Sequence, residues 1–246
     1  MSTLSGSFPK TAPGLPRGRT SLDRSDANAQ QRARLLRAVI SAVAEKGYQA
    51  TSVADIVERA RVSRTVMYRE FDGKLDCFLA AIDDGRELIM KSVTEAMADV
   101  AEPSLETVLR AISRAYLERC AEEPDHTRAW MLELTAAGPR GVEVRDRYLD
   151  GFAALMKQID CHYGGGRPRP DEHYIALVGG ITELVRRQVL AETPSALPRL
   201  ENALTEASSE RRSPNMFSPR SRPSERAARR ISTSSVMPPP AATARC

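Results

Sequence analysis

Residues 47–79 read GYQATSVADIVERARVSRTVMYREFDGKLDCFL, and this stretch decides the fold. Its first half predicts a short amphipathic helix, because apolar residues recur there at three- and four-residue spacing. These residues are Val53, Ile56, Val57 and Ala60. Ser52, followed three residues later by Asp55, is typical of a capped helix N-terminus with a carboxylate in its positive first turn.

A second short helix is predicted from Arg64 to Phe71, with Ser63 as its N-terminal cap. The gap between Ala60 and Ser63 has room for a turn but is too short for a loop. Met67 and Phe71 are four residues apart and are expected to face inward. The outer face then carries Arg64, Thr65, Tyr68 and Arg69.

These outer residues have the chemistry of a surface that reads DNA. Arginine binds guanine through two hydrogen bonds, and threonine, tyrosine and a further arginine reach phosphates or a thymine methyl group. The alternative for an isolated basic face is a solvated helix in an ordinary helical domain. The spacing of the whole unit favours a helix-turn-helix that binds the major groove.

With these residues the chain resembles the TetR family of transcriptional regulators. The resemblance rests on Gly47, Tyr48, Thr51, Ser52, Ile56, Ala60, Val62, Ser63, Tyr68, Phe71 and Lys74. It is specific over residues 32–92, with a supporting helix before the motif (Leu35, Leu36, Val39, Ile40 and Val43) and a connecting helix after it (Leu75, Phe78, Leu79 and Ile82). Beyond residue 92 the resemblance is architectural.

The resemblance implies which residues contact DNA. Arg64, Thr65 and Val66 would approach base edges, while Thr51, Tyr68 and Lys74 would hold phosphates. Lys74 lies near the start of a helix, where backbone amides also favour a phosphate. The complete predicted set is Arg17, Arg19, Thr51, Ser52, Ser63, Arg64, Thr65, Val66, Tyr68, Arg69 and Lys74. The alternatives left open are that Thr51 only caps and that Tyr68 only packs.

One departure from the family pattern lies in the turn, where Arg61 stands at a position that is usually glycine. If the turn requires a positive φ, arginine there costs about 1 kcal/mol. Its guanidinium would in turn offer a further phosphate contact. The substitution therefore bears on the stability of the domain and does not count against DNA binding.

Composition predicts an all-α protein without a membrane span or a metal. The chain has 246 residues, of which 41% are hydrophobic and only 5% aromatic, and it has no apolar run near 18 residues. Cys77, Cys120, Cys161 and Cys246 are scattered, and with His126, His162 and His173 they form no metal-ligand spacing. We expect a cytoplasmic protein with no metal and no cofactor.

Four segments are predicted along the chain. Residues 1–31 form a flexible basic arm, in which Arg17 and Arg19 either enter a minor groove or remain solvated. Residues 32–92 form the helix-turn-helix domain, and residues 93–207 form a helical domain for effector binding and dimerisation. Residues 208–246, with eight Arg against two Glu and many Ser and Pro, are expected to be a disordered tail.

The helical domain is expected to contain helices at 104–122, 126–137, 141–163 and 171–192. The fourth carries an apolar stripe of Leu177, Val178, Ile181, Leu184, Val185 and Val189, next to Gly179 and Gly180. Such a stripe serves either an intrachain core or a four-helix bundle with a second subunit. The family resemblance favours a homodimer, and twofold symmetry then implies a pseudo-palindromic operator.

The resemblance also implies a small-molecule effector that binds among these helices and releases the DNA. The candidate pocket residues are Tyr116, His126, Arg128, Trp130, Met131 and Tyr148, with core packing or surface exposure as the alternative for each. The sequence lacks the motifs of hydrolases, nucleotide-binding enzymes and zinc proteases. The leading prediction is a ligand-responsive homodimeric repressor, and the alternative is an interaction module of the same fold that has lost specific DNA binding.

Overall fold

The structure is a computed structural model that describes residue 8 and residues 24–165, 169–191 and 194–209. Within these ranges every regular element is helical, so the predicted all-α class is confirmed. The N-terminal helices are α1 (Arg24–Lys46), α2 (Val53–Ala60), α3 (Arg64–Glu70) and α4 (Lys74–Ala98). They are followed by α5 (Leu105–Glu122), α6 (Pro124–Arg128), α7 (Pro139–Tyr163), α8 (Asp171–Ala191) and α9 (Glu201–Ser209).

The predicted helix at 126–137 is not one regular helix. After α6 the chain widens into a π-helical turn (Ala129–Glu133) and then tightens into a 3₁₀ turn (Thr135–Ala137). The apolar spacing in this segment does not distinguish a π turn from an α turn, which explains the difference. Residues 129–137 are called the linker turn. π turns such as the one at its start are often found at functional sites.

The two chain ends also differ from the expected boundaries. Helix α1 begins at Arg24, eight residues before the expected start of the folded domain at residue 32. Ser208 and Ser209, expected in the tail, form the last turn of α9, where the Ser208 hydroxyl donates to Leu204 O at 2.8 Å. Residues 210–246, and Arg17 and Arg19 in the arm, lie outside the described residues.

The N-terminal helices enclose one apolar core. Helix α1 contributes Leu35, Val39 and Val43, α2 contributes Ile56, α3 contributes Met67, and α4 contributes Phe78 and Ile82, all at most 3% exposed. Tyr48 packs against Phe78 with ring centroids 5.1 Å apart. Since these residues come from four helices, burial fixes the orientation of α3 on its supports.

The α2 to α3 turn has the geometry that the sequence predicts. Ser52 caps α2, with its hydroxyl accepting from the Asp55 amide and the Asp55 carboxylate accepting from the Ser52 amide. Ser63 caps α3 by accepting from the Val66 amide at 3.2 Å. Arg61 ends α2 in the left-handed region at φ 55° and ψ 44°. The turn therefore does require a positive φ at Arg61, the condition under which arginine is strained there.

Arg61→Gly is expected to raise the free energy of unfolding by about 1 kcal/mol, because glycine adopts the left-handed conformation without a Cβ clash. Urea denaturation measures the effect. Arg61→Ala is the matched control, since it removes the same side chain and keeps the strained backbone. A gain of equal size in the alanine variant would show that the side chain, and not φ, carries the cost.

The second part of the chain packs around α5. Helix α4 extends from the N-terminal core into this region, where Val93 meets Val108, Leu109, Ile112 and Ile159. A second cluster joins Leu117 to Val185, Val189, Leu197 and Leu204. The apolar stripe of α8 is therefore divided. Its members at 178, 185 and 189 are buried within the chain, whereas Leu184 is 40% exposed.

Candidate functional site

The exposed face of α3 is formed by its first residues. Arg64 and Thr65 are exposed, and Tyr68 is 59% exposed one turn further along. Val66 is half-buried against the N-terminal core, so only part of its side chain faces outward. Met67 is fully buried and Phe71 nearly so, as their spacing predicts. This arrangement presents a cation, a hydroxyl and an aromatic ring from a short, rigid helix.

Ser52 and Ser63 lie at the exposed starts of α2 and α3. Their hydroxyl oxygens accept from backbone amides, and the Ser52 hydroxyl also donates to Asp55 at 2.6 Å. The structure therefore gives both serines capping functions, and this leaves the Ser63 hydroxyl proton available to a phosphate. Lys46 forms a 2.6 Å ion pair with Asp55, which holds the carboxylate at the start of α2.

Thr51 does not reach the surface on which a phosphate would lie. Its side chain is 2% exposed, and its hydroxyl donates to Gly47 O at 2.8 Å. The sequence motif placed Thr51 among the DNA contacts, but the hydroxyl is directed inward to satisfy the backbone of the preceding turn. This structural alternative, which the sequence left open, explains Thr51 better than a phosphate contact does.

Two other predicted contacts already have partners within the protein. The Lys74 ammonium donates to Tyr48 O at 2.8 Å and lies 4.1 Å from the Tyr48 ring centroid, and burial lowers its pKa. Arg69 donates to Gln31 and Glu70, each at 2.9 Å. Either side chain would have to exchange these partners to bind a phosphate. Arg64 therefore leads the candidates for a direct DNA contact.

A cavity of about 70 Å³ lies in the second part of the chain, with mainly apolar walls. Its lining consists of Val93, Ile112, Ser113, Tyr116, Trp130, Leu149, Phe152, Leu155, Met156, Val178, Ile181, Thr182, Leu204 and Ser208. A neighbouring cavity of about 20 Å³ is lined by Arg86, Ile89, Tyr116, Cys120, His126, Thr127, Trp130, Tyr148 and Phe152. The two cavities share three aromatic residues: Tyr116, Trp130 and Phe152.

The structure brings four of the six predicted pocket residues to these cavities. Tyr116 and Trp130 line both, while His126 and Tyr148 line the smaller one. Arg128 instead lies on the surface and donates to Ala44 O at 3.1 Å. Met131 is half-buried and packs against the cluster around Leu117. Neither residue lines one of these two cavities.

Sequence reasoning missed Arg86, Phe152 and Met156 as cavity residues. Arg86 lies on the long helix α4, where nothing in the local sequence distinguishes it from a surface arginine. Phe152 and Met156 are four residues apart and share an apolar side of α7, but this spacing does not show that they border a cavity. Only the packing of α4, α5, α7 and α8 brings these residues together.

His126 closes the smaller cavity against α4. Its ring is 4% exposed, and its Nε2 lies 3.4 Å from Ile82 O. Gly85 permits this approach, since a Cβ at that position would lie 1.9 Å from the His126 Nε2. Burial of the imidazole lowers the pKa of His126 to about 4, with the Ile82 carbonyl opposing the shift. The ring is therefore neutral at physiological pH.

The linker turn connects the cavities to the helix-turn-helix. Trp130 lines both cavities, and three residues later the Glu133 carboxylate accepts from the Tyr48 amide at 2.9 Å. Gln49 donates to Ala136 O at 2.6 Å. Just before the linker turn, the Ser41 hydroxyl donates to Asp125 at 2.5 Å. One short segment therefore contains both the cavity residue Trp130 and the contact to the residues that lead into α2.

The titratable side chains of the described residues do not group into a metal site. Those residues contain no cluster of three His, Cys, Asp or Glu side chains arranged for a metal ion. Cys77 and Cys120 are buried thiols whose pKa burial raises to about 12, and Cys161 is exposed. No described helix is long and apolar enough to cross a membrane.

Two capped helices, a turn of three residues and an exposed basic helix start define a helix-turn-helix DNA-binding domain. Residues 35–81 match the model of the family described as bacterial regulatory proteins, tetR family. The matched residues thus form a TetR-type DNA-binding domain. This confirms the resemblance carried by the motif from Gly47 to Lys74.

A curated relative supports the same family. The HTH-type transcriptional repressor Rv3405c of Mycobacterium tuberculosis is 34% identical over 87 residues, which are 35% of this chain and 46% of the relative. The chain therefore spans about half the length of this relative. The similar stretch of 87 residues is too short to include the whole of residues 93–207.

Solved structures share the fold over most of the described chain. The fatty acid degradation regulator FadR from Bacillus halodurans matches with a TM-score of 0.65 and 16% identity, over 74% of this chain and 96% of that protein. FadR from Bacillus subtilis in complex with stearoyl-CoA matches with a TM-score of 0.61 and 16% identity, over 71% and 96% of the two chains. At this identity the likeness shows the fold alone.

Proposed function

We propose that the protein is a sequence-specific transcriptional regulator that binds a pseudo-palindromic operator as a homodimer in the cytoplasm. We further propose that it acts as a repressor and leaves DNA when a small molecule binds. The observation that carries this proposal is the exposed start of α3, with Arg64 and Thr65, on a TetR-family helix-turn-helix. The role is one of binding, and none of its steps requires catalysis.

The geometry of α3 suits entry into a major groove. Ser63 caps the helix, and the buried Met67 anchors it one turn later, so the Arg64 side chain projects from a fixed base. An arginine at this position can donate two hydrogen bonds to a guanine edge, with Thr65 beside it for a second base or a phosphate. Tyr68, exposed on the same helix, is placed to contact the backbone of DNA.

Release by a ligand is supported by the contacts of the linker turn. A ligand that enters the cavities touches Trp130, and the same turn holds the Tyr48 amide through Glu133. Occupied and empty cavities then favour different positions of the two DNA-binding domains of a dimer. FadR from Bacillus subtilis, which shares the fold, was solved with stearoyl-CoA. A ligand-binding role for the helical domain has this precedent.

Helix α8 is the proposed centre of the dimer interface. Three of the large exposed apolar side chains in the described chain lie on this helix: Ile175, Leu184 and Leu190. A Cβ added at Gly179 or Gly180 would meet no atom within 4 Å, so a second helix has room to approach closely there. Gly180 and Leu184 are four residues apart and therefore lie on the same side of α8. Burial of this side against its symmetry mate would complete a four-helix bundle.

Leu184→Arg is expected to weaken dimerisation by about 2 kcal/mol, or roughly thirtyfold, because it places a charge at the centre of an apolar interface. Sedimentation equilibrium measures the dimer dissociation constant. Thr94→Arg is the control, since Thr94 is an exposed residue of α4 and lies outside the proposed bundle of α7 and α8. Equal dissociation constants for the two variants would remove α8 from the interface.

The regulator proposal is tested by selecting sheared genomic DNA with the purified full-length protein and sequencing the bound fragments. Moderate salt and excess nonspecific competitor suppress binding that depends only on phosphates. Enrichment of one inverted repeat is the expected result. Without enrichment, from a protein shown by circular dichroism to be folded, the regulator proposal would give way to an interaction module of the same fold.

Arg64→Ala is expected to reduce affinity for the selected operator by about 1 to 3 kcal/mol and to relax specificity at one base pair of each half-site. Fluorescence anisotropy with the operator and its single-base variants measures both effects. Arg64→Lys separates the two contributions, because it keeps the charge and loses the bidentate geometry. Arg145→Ala, which removes an exposed arginine from α7, is the control and should bind as the parent does.

A further inference from the structure

The smaller cavity holds two buried donors that lack an acceptor. Arg86 Nε and Tyr148 Oη are both buried, and neither has a hydrogen-bond partner among the described residues. The Arg86 guanidinium carbon lies 4.7 Å from the Tyr148 ring centroid, so the two groups share one wall. Buried polar groups are nearly always paired. The two donors on this wall therefore indicate a binding site for a hydrogen-bond acceptor.

The charges around this wall favour an anion as that acceptor. Burial raises the pKa of Asp83, with Arg147 and Arg86 opposing the rise and Glu87 adding to it. Arg147 lies 3.8 Å from the Asp83 carboxylate and is its ion-pair partner. Arg86 lines the cavity and acts on Asp83 electrostatically, but it forms no salt bridge with a carboxylate in the described part of the chain. His126, which also lines this cavity, is neutral at physiological pH because burial lowers its pKa to about 4.

The larger cavity continues this site with apolar walls. The shared residues Tyr116, Trp130 and Phe152 form the boundary, and beyond them the lining is mostly aliphatic side chains and Met156. Its volume of about 70 Å³ is well below that of a drug-sized pocket. An unbranched, flexible hydrocarbon chain can enter such a space when flexible side chains such as methionine repack around it. Fused rings would need far larger displacements.

We propose that the effector is an amphiphile with a single carboxylate and an unbranched hydrocarbon chain. The carboxylate accepts hydrogen bonds from Arg86 and Tyr148, and the chain runs past Trp130 into the larger cavity. A planar carboxylate suits two donors in about 20 Å³, whereas a phosphate dianion has more oxygens than these donors can satisfy. The regulatory consequence rests on the proposed function, but the binding itself does not.

Trp130 supplies a direct readout, because it is the chain's single tryptophan. It lines both cavities and stacks on Tyr148, with ring centroids 5.3 Å apart. Its fluorescence is followed in the full-length protein during titration with decanoate, decanol or decyl phosphate. The expected result is a saturable change with decanoate, at an affinity at least about tenfold higher than for the other two ligands.

Two variants test the donors separately. Arg86→Gln is expected to weaken decanoate binding roughly 10- to 100-fold and to leave decanol binding unchanged. Tyr148→Phe keeps the ring that stacks on Trp130 and is expected to weaken decanoate binding by about fivefold. Arg145→Gln, which removes an exposed positive charge from the same helix as Tyr148, is the matched control and should bind decanoate as the parent does.

Three results would overturn the inference. They are equal affinities for decanoate and decanol, tighter binding of decyl phosphate than of decanoate, and no saturable change with any ligand up to about 1 mM. Equal losses of acid and alcohol binding in the Arg86 variant would also overturn it, because they would indicate a packing role. Operator binding is measured separately without ligand. Its loss with decanoate binding intact would count against the proposed function alone.

Discussion

Gly141→Ala is expected to lower the free energy of unfolding by about 3 kcal/mol, at the upper end of the cost of overpacking a core. A Cβ at position 141 would lie 2.1 Å from Leu134 O and 3.1 Å from the Ala137 Cβ. The first contact is with a backbone oxygen, which cannot move away by a change of rotamer as a flexible side chain can. Helix α7 or the linker turn would have to shift. Urea denaturation of the purified variant measures the cost.

Gly151→Ala is the matched control for this prediction. Gly151 lies on the same helix, is exposed, and would place its Cβ more than 4 Å from any neighbouring atom. Alanine there is expected to raise the free energy of unfolding by about 1 kcal/mol, because it favours the helix over the unfolded chain. Two changes of the same sign would show that helix propensity, and not the close approach at Leu134, dominates at both positions.

The stability of the protein is expected to fall by about 3 kcal/mol as the pH decreases from about 6.5 to about 4, through His126. In the unfolded chain this histidine binds a proton near pH 6.5. In the folded protein, burial holds its pKa at about 4. Between these values the unfolded state binds more protons, so each unit of falling pH costs about 1.4 kcal/mol. Below about pH 4 this contribution is fully lost.

Urea denaturation at a series of pH values tests the assignment to His126. His126→Gln keeps a hydrogen-bonding side chain that does not titrate, and its stability is expected to lack this contribution between the two pH values. His162→Gln, at an exposed position on α7, is the control. Its free energy of unfolding should change with pH as that of the parent protein does. If the slopes of all three proteins coincide, another group carries the pH dependence.

Both predictions concern the contacts that hold the linker turn in place. Gly141 lets α7 pack against the end of the turn at Leu134, and Gly85 lets α4 pack against His126 just before it. Between these two contacts lie Trp130, which lines the cavities, and Glu133, which binds the Tyr48 amide.

The helix-turn-helix was predictable in detail because its determinants are local. Helical spacing of apolar residues, the serine caps at Ser52 and Ser63, and the shortness of the turn all act within about ten residues of chain. The burial of Met67 and Phe71 and the left-handed conformation at Arg61 follow from the same local pattern. The sequence could not show that the hydroxyl of Thr51 points inward or that Lys74 binds Tyr48 O.

The cavities, in contrast, could not be predicted from the sequence. Arg86 and Tyr148 come from helices separated by about sixty residues, and their shared wall exists only because α4, α6 and α7 pack together. Likewise, the apolar stripe of α8 was evident from spacing, but its division into buried Val185 and exposed Leu184 was not. Periodicity shows which residues share a helix face, and it does not show what that face meets.

The sequence by itself determined the all-α class, the capped helix-turn-helix and its exposed basic start, since local backbone and capping energetics specify each of these. The tertiary structure alone decided which polar groups were left without partners, which aromatic residues border empty space and which segment connects that space to α2. Those properties depend on the close packing of distant segments. On a packed helix, an arginine that lines a cavity would lie on the surface if it were moved by one position in the sequence.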